Sequence, residues 1–201
     1  MTPRPFSVLV VCRGNISRSP AGEHLLRAAL DSRFDVRSAG IGAIMVAGQG
    51  VDRITGALLG KRGIDSSRHV SRQLDLQTID ASELILTMSL DQRSWVGRES
   101  PLAVRRAFTL REFARLAVAV RGQHPQSVSD MVRRAAASRA VYQVAPGGTD
   151  QIADPNGGVI DDYVRAFQEV DQAVAVVAGE LTRYEPLRSQ AHAQPFAGFV
   201  L

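Results

Sequence analysis

Residues 6–20 read FSVLVVCRGNISRSP, and this stretch decides the fold. Residues 6–11 are apolar and rich in β-branched side chains, which is typical of a strand buried on both faces of a parallel sheet. Ser19 and Pro20 then favour the start of a helix that runs to about Leu30, because proline is accepted at the first helical position. A strand, a short loop and a helix in this order predict the first unit of an α/β domain.

The rest of the sequence continues this alternation. It predicts further strands over 35–40, 84–88 and 106–110, and helices over 52–62, 91–96 and 161–184. Strands that alternate with helices pair in parallel through right-handed crossovers. We therefore expect an α/β protein, with a three-layer α/β/α fold around a central, mostly four-stranded parallel sheet. The side chains expected to face the core are Leu25, Leu26 and Ala29 in the first helix, and Val164, Phe167, Val170, Val174, Val177 and Leu181 in the last.

The chain of 201 residues is long enough for one domain with its own core, and we expect that domain to span residues 1–187. Two segments stand apart from the alternation of strands and helices. Residues 117–150 hold a helical piece over 127–139, followed by a turn-rich piece, and residues 188–201 form a C-terminal tail with little predicted structure.

Composition narrows the classes of function. The formal net charge is +4, but the arginines are scattered without a dense basic run, so we expect no nucleic-acid partner. A phosphorylated or otherwise acidic substrate suits this charge. The apolar runs are too short for a signal segment or a membrane span, which predicts no membrane partner and a cytoplasmic location. Cys12 is the single cysteine, which excludes an internal disulfide framework and a zinc site built on several thiolates.

This single cysteine lies where a strand ends and a loop begins. Residues 13–17 precede a helix N-terminus, so their backbone N–H groups can form a concave nest, with Gly14 allowing an unusual dihedral angle. The helix dipole adds positive potential, and Arg18 offers a planar fork for two phosphate oxygens. This predicts a loop that binds phosphate or another oxyanion between the first strand and the first helix. Because the same field stabilises a thiolate, we expect Cys12 to attack phosphorus and form a cysteinyl-phosphate.

Such a reaction needs a general acid for the leaving oxygen and later a base for water. Asp154 is the best candidate among the carboxylates. It lies in the segment IADPNGG (residues 152–158), after the last predicted strand and before the last predicted helix. A loop in that position can hang over the edge of the sheet at which the strand of Cys12 ends.

Residues 11–20, VCRGNISRSP, resemble the phosphate loop of the low-molecular-weight protein tyrosine phosphatases, which reads V-C-x-G-N-x-C-R-S-P. Residues 38–40 (SAG), residues 71–74 (SRQL) and the strand that contains Met88 resemble further landmarks of this family. The resemblance implies a phosphatase domain that acts on phosphotyrosine in proteins and needs no metal and no cofactor.

The resemblance covers about residues 5–116 and 151–182. Residues 117–150 look like an insertion directly before the acid loop, where they would help to shape the entrance of the site. The single domain over 1–187 is therefore expected to be phosphatase-like.

The resemblance also implies roles for individual residues. Cys12 is the nucleophile, Arg18 binds the phosphoryl group, and Asp154 is the acid and then the base. Asn15 holds the strained loop through side-chain hydrogen bonds, and Ser19 hydrogen-bonds the Cys12 sulfur and eases its departure. The phosphate-binding loop is completed by Arg13, Gly14, Ile16 and Ser17.

Four positions bear on how closely the family pattern applies. Ser17 stands where many members have a second cysteine that protects the nucleophile through a reversible disulfide, so Cys12 is more exposed to over-oxidation. Asn156 and Gly157 follow the Asp-Pro pair, where members usually have aromatic residues that help to grip a phenyl ring. Ile16 occupies the loop position at which members that act on phosphoarginine have threonine, which favours the tyrosine-directed branch.

Two other functions stay open at this point. Arsenate reductases share the fold and the loop, and the variant that uses a small-molecule thiol needs only the one nucleophilic cysteine. The other is a non-catalytic phosphate-binding module. Cys12 and Asp154 argue against the module, because binding alone needs neither the thiol nor the acid.

Overall fold

The computed structural model describes residues 4–145 and 147–185. Its strands are β1 (Phe6–Cys12), β2 (Phe34–Gly40), β3 (Leu84–Thr87) and β4 (Ala107–Thr109). They form one sheet in the order β2-β1-β3-β4, and all neighbouring strands pair in parallel. The predicted four-stranded parallel sheet is confirmed.

The helices follow the strands along the chain. They are α1 (Arg18–Ala29), α2 (Arg53–Lys61), α3 (Leu76–Ala81), α4 (Leu90–Glu99), α5 (Leu110–Ala119), α6 (Val128–Ala137) and α7 (Ile160–Leu181). The sequence patterns do not predict α3 or α5. Among the described residues, no helix is both long enough and apolar enough to cross a bilayer.

The strand predicted over 106–110 ends earlier than expected, because a helix begins there. The Thr109 hydroxyl accepts a hydrogen bond from the Glu112 backbone N–H (3.2 Å), and the Glu112 carboxylate accepts one from the Thr109 backbone N–H (3.1 Å). This reciprocal capping starts α5 at Leu110, directly after β4.

Helices cover both faces of the sheet, which confirms the three-layer arrangement. On one face, Val8, Val10 and Leu86 of β1 and β3 belong to the core shared with α1, α5, α6 and α7. On the other face, Leu9 and Ile85 belong to a smaller cluster with side chains from α3 and α4. Alternate residues of the central strands point to opposite faces, so β1 and β3 contribute to both clusters.

The inward face of α1 differs from the prediction at one position. Leu25 and Leu26 are buried, but Ala29 is exposed. The helix ends at Ala29, and Leu30, which follows in an extended conformation, packs against the core in its place. On α7, Val164 is half-buried, and the other five predicted side chains are buried.

The segment 117–150 is partly built into the same core. Ala117, Val120, Val128 and Met131 are each at most 1% exposed and belong to the cluster that contains the β1 side chains. Helix α6 within this segment therefore packs as part of the domain. The predicted tail over 188–201 lies outside the described residues.

The topology decides where a ligand can bind. β1 lies between β2 and β3. The chain therefore adds β2 on one side of β1 and then crosses over to add β3 on the other side. Ligands of open parallel sheets bind at the carboxyl ends of the strands at such a switch point. Cys12 is the last residue of β1 and lies at this edge.

Candidate active site

Cys12 is held by its own loop. Its side chain is buried, and its sulfur lies 2.9 Å from the Ser19 hydroxyl oxygen and accepts a hydrogen bond from the Asn15 backbone N–H (3.2 Å). The Asn15 N–H donates to the sulfur, and the Ser19 hydroxyl is placed so that it can donate to it as well. The loop therefore curls around the thiol within seven residues.

The unusual backbone angle of the loop belongs to Asn15 and not to Gly14. Asn15 has a φ of 54°, in the left-handed region, whereas Gly14 is absent from the residues with positive φ. The expectation for Gly14 is therefore wrong. Asparagine tolerates this conformation when its short polar side chain is hydrogen-bonded, so the strain is compensated by the contacts of Asn15.

Those contacts fasten Asn15 from three sides. Its amide nitrogen donates to the hydroxyl oxygens of Ser19 (2.9 Å) and Ser38 (2.8 Å), and its amide oxygen accepts from the Arg72 backbone N–H (2.9 Å). His69 Nε2 lies 2.9 Å from the Asn15 carbonyl oxygen. The loop is thus held in part by residues distant in sequence, namely Ser38, His69 and Arg72.

A glycine at the end of β2 lets the loop pack closely. A Cβ atom on Gly40 would lie 2.5 Å from the Arg13 carbonyl oxygen and 2.9 Å from the Asn15 backbone nitrogen. Both contacts are with backbone that cannot move aside, so any larger residue would displace the loop. This is the physical reason for glycine in the SAG segment.

The loop leaves amide groups available. Within the part of the chain that the structure describes, the backbone N–H groups of Gly14, Ile16, Ser17 and Arg18 have no hydrogen-bond partner. They lie at the N-terminus of α1, where the helix dipole adds positive potential. This arrangement favours a bound anion with several oxygens.

Arg18 joins the phosphate loop to the acid loop. Its guanidinium, which is buried, donates to the Ile152 carbonyl oxygen (3.0 Å), 134 residues away in sequence, and forms an ion pair with the Asp154 carboxylate. The Asp154 side chain is 41% exposed. The structure therefore brings the predicted acid to the predicted phosphate binder.

These residues surround one pocket of about 250 Å³. The predicted residues that line it are Cys12, Arg13, Gly14, Ile16, Ser17, Arg18 and Asp154. Asn15 and Ser19 do not line the pocket and instead hold the loop from behind. Ser17 stands at the position where many family members have a second cysteine. Its hydroxyl lies 2.9 Å from the hydroxyl of Thr55.

Other residues of the wall were missed by sequence reasoning. They are Gly42, Met45, Val46, Asp52 and Tyr163, whereas Asn156, which the sequence already places after the Asp-Pro pair, also lines the pocket. Met45 and Val46 belong to a 3-10 turn (Ala43–Val46), and Asp52 is the N-cap of α2. Tyr163 lies in the first turn of α7, where its spacing of four residues from Phe167 is also that of the core face. The periodic pattern alone does not distinguish a pocket residue from a core residue there.

Tyr163 lies close to both carboxylates of the pocket. Burial raises the pKa of the Tyr163 phenol, and the negative charges of Asp52 and Asp154 raise it further. Each of these effects disfavours the phenolate. Tyr163 therefore stays neutral over the physiological range and presents an aromatic ring and a hydroxyl to the pocket.

Nothing in the described residues suggests a metal centre, since no group of three or more His, Cys, Asp or Glu side chains is placed to hold an ion. The residues that line the pocket supply a thiol, backbone N–H groups, two guanidinium groups and two carboxylates. This set suits binding and transfer of a phosphoryl group.

Comparison with known proteins agrees with this chemistry. Residues 7–117 match the family model of the low molecular weight phosphotyrosine protein phosphatases. The chain is 32% identical over 124 residues to a low molecular weight protein-tyrosine-phosphatase of Acinetobacter johnsonii, covering 62% of this chain and 85% of that protein. It is 28% identical over 180 residues to a protein-arginine-phosphatase of Geobacillus stearothermophilus, covering 88% and 97%.

Solved structures extend the similarity to most of the chain. The YwlE arginine phosphatase of Geobacillus stearothermophilus superposes with a TM-score of 0.67 at 26% identity, covering 89% of this chain and 94% of that one. The Wzb protein of Vibrio vulnificus, in complex with benzylphosphonate, superposes with a TM-score of 0.65 at 25% identity, covering 88% and 99%. With this fold and this pocket, the chain belongs to the low molecular weight phosphotyrosine protein phosphatase family and is an enzyme of that type.

Proposed function

We propose that the chain hydrolyses phosphotyrosine in proteins through a cysteinyl-phosphate intermediate on Cys12. One observation carries this proposal: the Cys12 sulfur, unpaired amide groups of the loop, Arg18 and Asp154 all border a single pocket. A binding module would need the amides and Arg18, but neither a thiol nor an opposing carboxyl group.

In the first step, the loop amides and Arg18 hold the phosphoryl oxygens, and the Cys12 thiolate attacks phosphorus. The bond from phosphorus to the phenolic oxygen breaks, and that oxygen takes a proton from Asp154. In the second step, Asp154 accepts a proton from water as the water oxygen attacks phosphorus. The sulfur–phosphorus bond breaks, inorganic phosphate forms, and the Ser19 hydroxyl 2.9 Å from the sulfur stabilises the departing thiolate.

The ion pair between Arg18 and Asp154 couples binding to acid catalysis. In the structure the guanidinium is shared between the Ile152 carbonyl and the Asp154 carboxylate. A phosphoryl group in the loop would compete for the same guanidinium with two oxygens in the matching planar geometry. Asp154 would then be released toward the leaving oxygen at the mouth of the pocket, where the carboxylate takes up a proton from solvent and donates it to that oxygen.

The walls of the pocket support an aromatic substrate. Ile16, Met45 and Val46 supply apolar surface, and Tyr163 supplies a ring, although aromatic residues do not follow the Asp-Pro pair. A phenyl ring can pack against such walls with offset or edge-to-face contacts, whereas the short side chain of phosphoserine would not reach them. Tyr163 would thus contact the phenyl ring of the substrate, as the aromatic residues after the Asp-Pro pair are expected to do in other members of the family.

Phosphoarginine is a second candidate substrate. The similarity to protein-arginine-phosphatases spans most of the chain, and Asp52 and Asp154 place two carboxylates around the pocket, where they would attract a guanidinium. Ile16 lacks a hydroxyl that could accept a hydrogen bond from that group, which favours phosphotyrosine.

A kinetic panel tests the choice of substrate. We expect kcat/KM for a phosphotyrosine peptide to exceed that for the matched phosphoserine and phosphoarginine peptides by about 100-fold or more, since burial of a ring favours it over both, and phenolate is also a better leaving group than the alkoxide of phosphoserine. The same preparation would be tested for arsenate-dependent consumption of a small-molecule thiol. A higher kcat/KM for the phosphoarginine peptide, or thiol consumption without ester hydrolysis, would replace the proposal with the corresponding alternative.

Tyr163→Ala is expected to raise KM for an aryl phosphate about tenfold with a smaller change in kcat, because it removes the ring from the pocket wall. Tyr163→Phe keeps the ring and should retain a KM close to that of the wild type. The measurement is steady-state kinetics with phosphotyrosine peptide, with a short alkyl phosphate as the reference substrate. Equal effects of Tyr163→Ala on both substrates would argue against contact with the aryl group.

Ser17→Cys is expected to make peroxide inactivation reversible. In the wild type, peroxide oxidises the Cys12 thiolate to sulfenic acid, and further peroxide gives sulfinic acid, which thiols do not reduce. A cysteine at position 17 can instead condense with the sulfenic acid, releasing water and forming a disulfide that dithiothreitol reduces. We expect at least about threefold more activity to be recovered from Ser17→Cys after a matched exposure to peroxide. Thr55→Cys, the other partner of the Ser17–Thr55 hydrogen bond, serves as the comparison variant.

A further inference from the structure

A second concave surface continues from the catalytic pocket along the carboxyl edge of the sheet. This groove has a volume of about 620 Å³, against about 250 Å³ for the pocket. Arg13, Arg18, Gly42 and Asp154 line both of them, so the two are adjacent. A phosphorylated side chain that fills the smaller pocket therefore leaves the groove for whatever is attached to that side chain.

Besides Arg13 and Arg18 of the phosphate loop, three parts of the chain build the groove. One is the turn after β2, with Ile41 and Gly42, and another is the N-terminal end of α4, with Ser89 and Asp91. The third is the acid loop, which contributes Thr149 and residues 151–154. The Gln151 side-chain oxygen accepts a hydrogen bond from the Leu90 backbone N–H (3.2 Å), which ties the acid loop to α4. The floor of the groove is therefore fixed by the same loop that positions Asp154.

Arg13 forms the ridge between pocket and groove. Its side chain is exposed, and its Cγ packs near Gly42: a Cβ atom added to that glycine would lie 3.8 Å from the Arg13 Cγ. The Arg13 carbonyl accepts a hydrogen bond from the Gly42 backbone N–H (2.9 Å), which fixes the base of the side chain. Among the residues that the structure describes, no carboxylate pairs with the Arg13 guanidinium. It therefore keeps all its donors for a ligand.

The negative charges of the groove are arranged differently. Asp154 is paired with Arg18, and Asp150, next to the groove, is paired with Arg115 (2.5 Å). Asp91 lines the groove but not the pocket, and it has no cationic partner within residues 4–145 and 147–185. A free positive charge thus borders the pocket, and a free negative charge lies farther along the groove.

We propose that this groove binds the polypeptide that flanks the phosphorylated residue, and that Arg13 selects substrates with an acidic side chain next to that residue. The inference rests on the proposed function, because the phosphorylated residue must occupy the pocket. Asp91 would favour a basic side chain farther from the phosphorylated residue. The substrate class is then a phosphoprotein segment in which an acidic position and a basic position follow in this order from the pocket.

The test compares phosphotyrosine peptides that are identical except for the residue next to the phosphotyrosine. That residue is glutamate, glutamine or lysine. For the wild type we expect kcat/KM to be about tenfold higher with glutamate than with lysine, and this ratio should approach one at 1 M salt. Arg13→Glu should invert the ratio. Because a ratio within one variant is measured, a general effect of the substitution on the loop cancels.

Arg105→Glu provides the matched control. It changes the net charge by the same amount, but Arg105 precedes β4 and therefore lies near the amino edge of the sheet, away from the groove. We expect it to leave the glutamate-to-lysine ratio unchanged, whereas an equal shift in Arg105→Glu and Arg13→Glu would mean that only the overall charge matters. Asp91→Asn should weaken a preference for lysine at the more distant positions of the peptide.

Failure of this proposal is distinguishable from failure of the proposed function. If p-nitrophenyl phosphate and all peptides are inert, the phosphatase assignment itself fails. If the peptides are hydrolysed but the glutamate-to-lysine ratio is the same in the wild type and in Arg13→Glu, the groove does not read the flanking sequence. A preference for lysine beside phosphotyrosine in the wild type would also overturn the role given to Arg13.

Discussion

Cys12→Ser is expected to lower kcat for an aryl phosphate by at least about 10⁴-fold while inorganic phosphate still binds. The substitution removes the thiolate that attacks phosphorus, and a serine hydroxyl at the same position is a much weaker nucleophile. The amide groups of the loop and Arg18 are unchanged, so the anion site persists. The serine oxygen can also keep a hydrogen bond to Ser19, which lies 2.9 Å from the sulfur in the wild type.

Two measurements on the same protein check this result. Turnover is followed with p-nitrophenyl phosphate, and phosphate binding is followed by calorimetry or by the shift of the thermal midpoint with phosphate concentration. A stability close to that of the wild type shows that the loop is intact. Unchanged turnover in Cys12→Ser would contradict the covalent mechanism, because the activity would then not depend on the thiol.

Asp154→Asn is expected to lower kcat for phenyl phosphate by about 10² to 10³-fold, and to slow p-nitrophenyl phosphate much less. A poor leaving group needs a proton as its bond to phosphorus breaks, whereas nitrophenolate leaves without one. The amide cannot supply that proton, although it keeps the size of the carboxyl group and a hydrogen bond within reach of Arg18. The measurement is a series of aryl phosphates with different leaving-group pKa values, compared between wild type and variant.

Asp161→Asn is the matched control, since it removes one exposed carboxylate from the beginning of α7 without touching the pocket. It should leave the dependence on the leaving group unchanged. If Asp154→Asn slowed good and poor leaving groups equally, Asp154 would not be the acid, and only the assignment of the phosphate loop would stand.

Substitution of Asp154 also removes the ion pair with Arg18, so phosphate binding is expected to become tighter, because the guanidinium loses its internal competitor.

The chemistry of the phosphate loop can be predicted from its own residues, but its backbone conformation cannot. The spacing of Cys12 and Arg18 predicts an oxyanion loop, and the structure places both at one pocket. The expectation for Gly14 is wrong because a glycine permits a left-handed conformation without requiring it. The chain puts that conformation on Asn15, whose side chain is held by Ser38 and Arg72 from other parts of the fold. Those partners are not visible from the loop sequence alone.

Segment 117–150 shows that the alternation of strands and helices does not predict every segment that packs into the core. It departs from the strand–helix pattern, and its helix α6 nevertheless adds buried side chains such as Val128 and Met131 to the main core. Whether a segment stands apart depends on which surface it packs against, and periodicity carries no information about that. That these residues are an insertion stays a prediction.

By itself the sequence determined the order of the four strands and of all helices except α3 and α5, the parallel sheet and the chemistry of the loop at Cys12, because these depend on side chains within a few residues of one another. Only the tertiary structure decided that Arg18 pairs with Asp154, that Tyr163 faces the pocket rather than the core, and that Arg13 borders a groove. Each of these depends on how helices and loops distant in sequence pack at one edge of the sheet. A helical repeat tells which residues share a face, and packing alone tells what that face meets.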